Sequence, residues 1–202
     1  MPVTLRPQPI EQMTCRGAHV LALTERGQLW AWGRNEDGQL GTRAGNERPR
    51  ELTFCATPER VRGLMGISVK HVACGRCHSM AIDKDGRLYS WGGNDDGALG
   101  HADTTSRAAP QVVAAFNGKV VEAVACGSRH TLCLVDATLY SWGWGAYGQL
   151  GHGDVGGRTL PTVVDAMLGT CTSFFHGVWD PRPLIYRFIG LRWLALDCTG
   201  LR

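Results

Sequence analysis

This 202-residue sequence has no clear excess of charge of either sign and no hydrophobic run long enough to cross a membrane. Its 21 lysines and arginines against 18 aspartates and glutamates leave a net charge of +3, too small to predict nucleic-acid binding. Residues 1–12 contain three prolines and lack the pattern of a secretory signal. The apolar stretch 184–196 is interrupted by Arg187 and Arg192 and is too short to span a bilayer. We therefore expect a cytoplasmic or nuclear protein with no membrane partner.

The sequence also lacks the short motifs that mark common active sites. It contains no G-x-S-x-G nucleophile motif, no H-E-x-x-H zinc motif and no phosphate-binding Walker loop. Its eight cysteines are expected to be reduced, because no secretory signal is predicted. These absences predict a protein that is not an enzyme and that uses no metal or cofactor.

Glycine, by contrast, is abundant, and much of it belongs to an internal repeat. The 27 glycines are almost twice the usual share. Three segments align in register from a cysteine to a closing glycine, at 15–41, 74–100 and 126–151. Their matching tryptophans are spaced by 59 and 51 residues. The structural repeat positions are His19, Trp32, Gly33, His78, Trp91, Gly92, His130, Trp142 and Gly143.

Each copy has the sequence pattern of a β-hairpin. Residues 78–83 alternate between apolar and polar side chains, Lys84-Asp85-Gly86 predicts a turn, and alternation resumes through residue 92. One small sheet cannot bury both of its faces, so the copies are expected to stack radially as propeller blades. The recurring tryptophan is expected to fill the space between blades, and the recurring histidine to bond to backbone.

Three motifs carry a resemblance to a known family. They are a Cys-Gly-x-x-His element, as in 74–78, a Leu-Tyr-Ser-Trp-Gly strand, as in 139–143, and a Gly-Gln-Leu-Gly close, as in 148–151. Together they resemble the repeat of the regulator of chromosome condensation family over about residues 13–168. The resemblance implies an all-β fold, here a partial β-propeller of about three blades, in a family whose propellers usually close with seven.

The repeat pattern stops abruptly after residue 168. We divide the chain into an N-terminal segment, 1–12, the tandem repeats, 13–168, and an irregular, non-repeat C-terminal tail, 169–202. No Trp-Gly strand follows in the tail, and Asp180-Pro-Arg-Pro183 breaks any strand there. Two origins stay open for the tail: a native cap of the stack, or a product of alternative splicing, a gene-model error or a frameshift. Three blades alone would expose strand edges and apolar faces, which predicts self-association.

Two cofactor motifs appear in the sequence, and the repeat accounts for most of each. Cys74, Cys77 and His78 form C-x-x-C-H, the motif for covalent haem attachment. Cys74 and His78 recur in the other copies, whereas Cys77 is replaced by Ala18 and by Arg129. Residues 143–148 form G-x-G-x-x-G, but loop-forming residues follow where a dinucleotide site requires a helix. We therefore predict neither haem nor a nucleotide cofactor.

Partner-binding residues are predicted in the connections between strands. The loops of successive blades converge at one end of a propeller, where a rigid scaffold presents their side chains to a partner. Arg76 and Arg129 match each other in one such connection, and His101 and His152 match each other just after the Gly-Leu-Gly close. These four residues are the predicted partner-binding set.

The function expected from these features is protein-protein interaction, as a scaffold or regulator that binds a macromolecular partner. The resemblance implies three kinds of partner: a small GTPase, chromatin or ubiquitin machinery. One alternative is a guanine-nucleotide exchange factor for a Ran-type small GTPase, although its exchange residues cannot be assigned without knowing which blades these are. A second alternative is a redox or haem enzyme that uses Cys74, Cys77 and His78.

Overall fold

The computed structural model describes residues 8–42 and 54–167. Within them, the chain forms three four-stranded antiparallel sheets, which we call blades 1, 2 and 3. Blade 1 consists of β1 (Ile10–Arg16), β2 (His19–Thr24), β3 (Leu29–Arg34) and β4 (Phe54–Arg60). Blade 2 consists of β5 (Val69–Cys74), β6 (His78–Asp83), β7 (Leu88–Gly92) and β8 (Arg107–Val112). Blade 3 consists of β9 (Val121–Cys126), β10 (His130–Val135), β11 (Thr138–Gly143) and β12 (Arg158–Val163).

All three blades share one topology and one register. Consecutive strands are hydrogen-bonded neighbours, so each blade is a simple meander. In every second-to-third strand pair, the repeat histidine lies opposite the glycine that follows the repeat tryptophan: His19 and Gly33, His78 and Gly92, His130 and Gly143. The repeat motifs therefore occupy equivalent places, and the predicted all-β partial propeller is confirmed.

The hairpin turns form as the sequence predicts, with one difference in blade 3. In blade 2, the Asp83 carboxylate accepts the backbone N–H groups of Asp85 and Arg87, and Gly86 adopts φ +82°. Blade 3 is shorter and turns through Asp136 and Ala137 at φ +48° and +58°. Two successive residues with positive φ are typical of the two-residue turn whose twist matches a hairpin.

The glycine after each repeat tryptophan is required by its backbone. Gly92 has φ +102°, and a Cβ added there would lie 2.4 Å from the carbonyl oxygen of Cys77. Gly33 and Gly143 have the same conformation and the same close approach, to Ala18 and Arg129. A side chain at this position would push the third strand of the blade away from the start of its second strand.

Two hydrophobic cores lie between the blades. The first packs Leu21, Leu23 and Leu40 of blade 1 against Val72 and Trp91 of blade 2. The second packs blade 2 against blade 3 and includes Met80, Ile82, Leu88, Val124 and Trp142. Each face of blade 2 is therefore buried by a neighbour, which is the stacking that one small sheet needs.

The innermost strands of neighbouring blades are joined by side chains. The amide of Gln12 on β1 both donates to the carbonyl of Val72 and accepts its N–H, at 3.0 and 3.1 Å. On the next pair, His71 Nε2 donates to the carbonyl of Val124 at 3.2 Å. These bonds satisfy backbone groups that a continuous sheet would otherwise pair.

Short 3₁₀ turns complete the links between blades, at Arg62–Leu64, Ala114–Phe116 and Asp165–Met167. None of the helices in the described ranges is long and apolar enough to cross a membrane. β11 ends at Gly143 and a turn follows, so 143–148 does not open a helix as a dinucleotide site would require. β1 begins at Ile10, inside the predicted N-terminal segment, and the predicted tail 169–202 lies outside the described residues.

Candidate protein-interaction site

A buried set of hydrogen bonds joins blade 1 to blade 2. The Nε2–H of His19 donates to the hydroxyl of Ser79 on the next blade, 3.0 Å away. The Ser79 hydroxyl donates in turn to the carbonyl of Gln39 on blade 1, at 2.8 Å. The same carbonyl accepts the indole N–H of Trp91 at 2.9 Å. We call this sequence of histidine, hydroxyl, carbonyl and indole the interblade relay.

The interblade relay is repeated between blades 2 and 3. His78 Nε2 lies 3.2 Å from the Thr131 hydroxyl, which donates to the carbonyl of Ala98 at 2.9 Å. That carbonyl also accepts the indole N–H of Trp142 at 2.8 Å. The sequence leads us to expect backbone partners for the repeat histidines. In the structure, His19 and His78 instead bond to hydroxyl groups, because each ring faces the neighbouring blade.

Burial keeps these two histidines neutral. It lowers the pKa of His19 to about 4, and it lowers that of His78 to about 3, with smaller electrostatic contributions from His19, His130 and Arg16. A neutral imidazole carries one N–H, and the hydroxyl already donates to a carbonyl, so Nε2 must be the protonated nitrogen. The relay therefore defines one tautomer at each of its two sites.

The outermost repeat residues, Trp32 and His130, lack this environment. Trp32 is half-buried, whereas Trp91 and Trp142 are fully buried between blades. His130 is also half-buried, and no side-chain hydrogen bond within 8–42 and 54–167 involves it or Trp32. The described residues include no blade before the first or after the third, so the relay stops at both ends.

The residues of the haem alternative do not converge on one point. The Cys74 thiol lies 3.6 Å from the carbonyl of Thr14 on blade 1, and burial raises its pKa to about 12. His78 faces the opposite way, towards Thr131 on blade 3. Cys77 is half-buried, and burial together with Asp37 raises the pKa of its thiol. No group of three potential metal ligands occurs among the residues that the structure describes.

One end of the blades carries the connections between first and second strands and between third and fourth strands. We call this end the loop face. At the junction of blades 2 and 3 it presents a cluster of two exposed residues, Arg129 and Tyr147, and two half-buried residues, Asp96 and Trp144, which we call the aromatic-arginine patch. Its residues come from two blades, so their relative positions depend on the interblade packing.

Arg129 organises the aromatic-arginine patch. Its Nε lies 2.5 Å from the Asp96 carboxylate of blade 2, and its guanidinium lies 5.5 Å from the ring centre of Trp144. Trp144 and Tyr147 pack edge to face with ring centres 4.8 Å apart. Tyr147 is 82% exposed. The patch therefore brings arginine, tryptophan and tyrosine into mutual contact, and these are the residues that contribute most to protein interfaces.

The predicted residue Arg76 also lies on the loop face. Its side chain is exposed, and its backbone N–H donates to the carbonyl of Ser128 on blade 3 at 2.9 Å. Arg129 lies on the equivalent connection of blade 3 but one position further along, because Arg76 aligns with Ser128 and Arg129 aligns with Cys77, so the expected match of the two arginines is wrong by one residue. The structure thus brings both predicted arginines to the loop face, on neighbouring blades.

The two predicted loop histidines are held against their own blades. His101 Nε2 bonds to the Ser90 hydroxyl at 2.8 Å, and His152 Nε2 bonds to the Ser141 hydroxyl at 3.0 Å. Both histidines are half-buried, and burial lowers the pKa of His101 to about 4. Each therefore fixes the long connection between the third and fourth strands.

Sequence reasoning missed Asp96, Trp144 and Tyr147. A signal for the two aromatics exists in the repeat itself, because Tyr147 aligns with Asp37 and Asp96, and no other copy has an aromatic residue there. A loop residue that differs from its counterparts in the other copies is not required by the fold, and it is therefore a candidate for binding.

Comparison with known proteins places these blades in a family. The model named Regulator of chromosome condensation (RCC1) repeat matches residues 26–82, 85–134 and 136–177. A second model of the same repeat matches 11–39, 69–98 and 121–149. Each match of the second model covers the first three strands of one blade, whereas the first two matches of the first model each run from the third strand of one blade into the second strand of the next.

Curated relatives and solved structures agree with this assignment. The chain is 37% identical to the ultraviolet-B receptor UVR8 of Arabidopsis thaliana, over 84% of the chain and 37% of the receptor. It is 42% identical to the human E3 ubiquitin-protein ligase HERC2, over 76% of the chain and 3% of the ligase. Prp20p from Saccharomyces cerevisiae is similar in structure, with a TM-score of 0.66 and 25% identity, over 77% of this chain and 38% of Prp20p.

The chain thus spans only part of the length of the relatives that it matches. The two repeat models match all three blades of this chain, in which the repeat histidine and glycine lie opposite each other in the same register. On the strength of the repeat models and of these relatives, the chain belongs to the regulator of chromosome condensation (RCC1) repeat family.

Proposed function

We propose that this chain is a protein-protein interaction module that binds a macromolecular partner through the aromatic-arginine patch on its loop face. The observation that carries the proposal is the exposed Tyr147, packed on Trp144, which is stacked in turn by Arg129. Aromatic rings held rigidly at a surface lose little conformational entropy when a partner covers them. The role proposed for the chain is binding without catalysis.

The relatives indicate which partners to test. The solved structure of Prp20p is described together with its binding to Gsp1p and histones, and HERC2 is named as a ubiquitin-protein ligase. These are properties of those proteins. For this chain we propose the same three classes, a small GTPase, chromatin or ubiquitin machinery, as the partners to examine first.

Guanine-nucleotide exchange on a Ran-type GTPase is a narrower alternative, and nothing in the three blades favours it over general protein binding. The chain covers only 38% of Prp20p, and a GTPase that needs contacts from several other blades would not find them here. An exchange assay with a Ran-type GTPase tests it directly, because a module that only binds leaves the rate of nucleotide release unchanged.

We further propose that the module acts in the cytoplasm or the nucleus. The six cysteines that the structure describes are all unbridged, and three of them are buried in the blades. Unpaired cysteines in this number are typical of proteins from reducing compartments. Imaging of the tagged chain in cells tests the location.

The binding proposal is tested by affinity purification with matched variants. Tyr147→Ala removes the exposed ring and is expected to lower partner recovery about tenfold or more, as for an interface residue worth about 1.4 kcal/mol or above. Met65→Ala is the control, because Met65 is 60% exposed at the end of the blades opposite the loop face.

Quantitative mass spectrometry of the purified complexes gives the readout. We expect the same proteins with the unmodified chain and with Met65→Ala, and their depletion with Tyr147→Ala. Equal recovery with all three chains would show that the patch is not the binding surface. Recovery of nothing beyond a tag-only control would overturn the proposed function itself.

A further inference from the structure

The three connections between first and second strands form one continuous surface on the loop face. The first strands are the innermost ones, and β5 contacts both β1 and β9. A Cβ added at Gly17 would lie 2.7 Å from the carbonyl oxygen of Arg76, so the connections of blades 1 and 2 touch. The N–H of Arg76 donates to the carbonyl of Ser128 at 2.9 Å, which joins the connections of blades 2 and 3. We call this surface the inner zone, and its residues are 16–18, 75–77 and 127–129.

The inner zone contains three arginines and no acidic residue. Arg16, Arg76 and Arg129 each come from a different blade. Burial lowers the pKa values of His78 and His130, and the charge of Arg16 contributes to both shifts. Its guanidinium therefore lies near rings of blades 2 and 3. Positive charge is thus concentrated where the three blades meet.

Arg76 and Arg129 keep guanidinium N–H groups available to a partner. The Arg76 side chain is exposed and makes no hydrogen bond or ion pair with any described residue. Arg129 is also exposed, and within 8–42 and 54–167 its side chain bonds only through Nε, to Asp96. Each arginine can therefore present two parallel N–H groups, the arrangement that binds one carboxylate at two points.

The fold does not require an arginine at either position. Arg76 aligns with Gly17 and Ser128, and Arg129 aligns with Ala18 and Cys77. The three connections thus hold unrelated side chains at both positions. By the criterion that identifies Tyr147, both arginines are candidates for binding.

The connections between third and fourth strands carry the opposite charge. Their described parts, 35–42, 93–106 and 144–157, contain no lysine or arginine. Four of their six carboxylates are paired with arginines, namely those of Glu36, Asp96, Asp103 and Asp154. The other two, Asp37 and Asp95, form no ion pair with a described residue. The inner zone is therefore positive, and the connections outside it carry the unpaired carboxylates.

We propose that the inner zone binds an acidic segment of the protein partner, whose side-chain carboxylates accept hydrogen bonds from Arg76 and Arg129. This inference rests on the proposed function, because it names the chemistry of the segment that covers the loop face beside the aromatic-arginine patch. Arg129 belongs to both surfaces. An apolar residue next to the acidic ones is therefore placed to contact Trp144 and Tyr147.

The distribution of charge favours a protein segment over nucleic acid. A nucleic-acid strand carries a phosphate at every nucleotide, and it gains affinity when many phosphates are neutralised together. The inner zone is too small for many such contacts. A strand that continued beyond it would bring further phosphates towards Asp37 and Asp95. A short acidic segment avoids this repulsion, because its charge ends within the zone.

Fluorescence anisotropy with labelled probes and the complete chain tests the proposal. The acidic probe is a peptide of alternating aspartate and glutamate that ends in leucine. Its matched control has asparagine and glutamine in place of the acidic residues. We expect the acidic peptide to bind about tenfold more tightly than the amide peptide, as for a charge-assisted pair. A short DNA duplex and a single-stranded RNA are the nucleic-acid probes, and both are expected to bind more weakly than the acidic peptide.

Two variants with the same change in charge locate the binding site. Arg76→Gln removes a positive charge from the inner zone. Arg26→Gln removes one from the exposed turn between β2 and β3, at the opposite end of the blades. We expect Arg76→Gln to weaken binding of the acidic peptide about tenfold, and Arg26→Gln to change it by less than about twofold. Arg76→Lys keeps the charge without the two-point geometry and is expected to lie between them. Circular dichroism verifies that each variant folds.

Three results would overturn the proposal. The amide peptide could bind as tightly as the acidic peptide, which would leave no role for carboxylates. Arg26→Gln could weaken binding as much as Arg76→Gln, which would show a non-specific effect of charge. A nucleic-acid probe could bind more tightly than the acidic peptide and depend on Arg76, which would assign the inner zone to phosphates.

Affinity purification separates a failure of this inference from a failure of the proposed function. We expect Arg76→Gln to deplete the same partners as Tyr147→Ala. Depletion by Tyr147→Ala alone would keep the aromatic-arginine patch as the binding surface and would reject the acidic segment. If no chain recovers a partner, the proposed function fails, and the peptide titrations still decide whether the inner zone binds carboxylates.

Discussion

At the scale of single residues, the hydroxyl of the interblade relay is the group on which its other members depend. Thr131 accepts from His78 on one side and donates to the Ala98 carbonyl on the other. Its removal leaves the histidine without this bond inside a closed interface. The carbonyl still holds Trp142, so the damage falls mainly on His78.

We predict that Thr131→Val destabilises the protein by about 1–3 kcal/mol, the cost of leaving a buried polar group unpaired. Valine conserves the volume of threonine, so cavity formation adds little. Urea denaturation gives the free energy of unfolding. Thr131→Ser keeps the hydroxyl and is the control, expected to lose less. A Thr131→Val protein as stable as the unmodified one would mean that the relay contributes no stability.

At the scale of a structural element, a blade is completed by the tryptophan that it places against its predecessor. Trp142 is fully buried, bonds to Ala98, and packs near Phe116, with ring centres 6.1 Å apart. Trp32 has the same position in its own blade but is only half-buried. The same residue type at the same repeat position therefore differs in burial, because Trp142 packs against a preceding blade and Trp32 has none before it among the described residues.

We predict that Trp142→Ala costs about 3–5 kcal/mol, as for other large-to-small changes in a core. Trp32→Ala is expected to cost clearly less, because part of its ring is exposed before the change. Urea denaturation of the two variants and of the unmodified chain gives the loss in the free energy of unfolding at each tryptophan, so the two positions are compared within one protein. Equal losses would show that Trp32 is covered as fully as Trp142 is between blades 2 and 3.

At the scale of the whole molecule, the stack buries several histidines in the neutral form. Among the described residues, burial lowers the pKa values of His19, His71, His78, His101 and His130. An unfolded chain returns each imidazole to its ordinary pKa of 6.5. Below that pH the unfolded chain binds more protons than the folded chain, so the free energy of unfolding must fall as pH falls.

We predict that stability is greatest above pH 6.5 and declines as pH falls towards 4. The most buried pair, His19 and His78, is expected to contribute on the order of 2 kcal/mol each to the loss between pH 7.5 and 5. Urea denaturation at pH 7.5 and at pH 5 measures this loss in the free energy of unfolding. The His78→Gln variant, measured at the same two pH values, is expected to lose less stability than the unmodified chain. A free energy of unfolding that does not change between pH 7.5 and 5 would contradict the assignment of neutral buried histidines.

Much of the fold was predictable because the repeat samples each position three times. The register that sets His78 opposite Gly92 recurs in all three blades, so the motif of one copy explains the others. The same comparison predicted that Cys74 and His78 belong to the repeat, and the structure turns them towards different blades. The candidate site was harder to predict: Arg129 was identified, but its partners Asp96 and Trp144 come from separate connections.

The sequence by itself determined the strand pattern, the turns and the glycines, because these depend on residues close together in the chain. It also determined that the blades must stack, since one small sheet cannot bury both of its faces by itself. Only the tertiary structure decided what crosses from blade to blade. The relay joins residues 33 to 60 positions apart, and the aromatic-arginine patch joins two blades through Asp96 and Arg129. The direction of each histidine ring follows from which blade faces meet, and that is a property of packing.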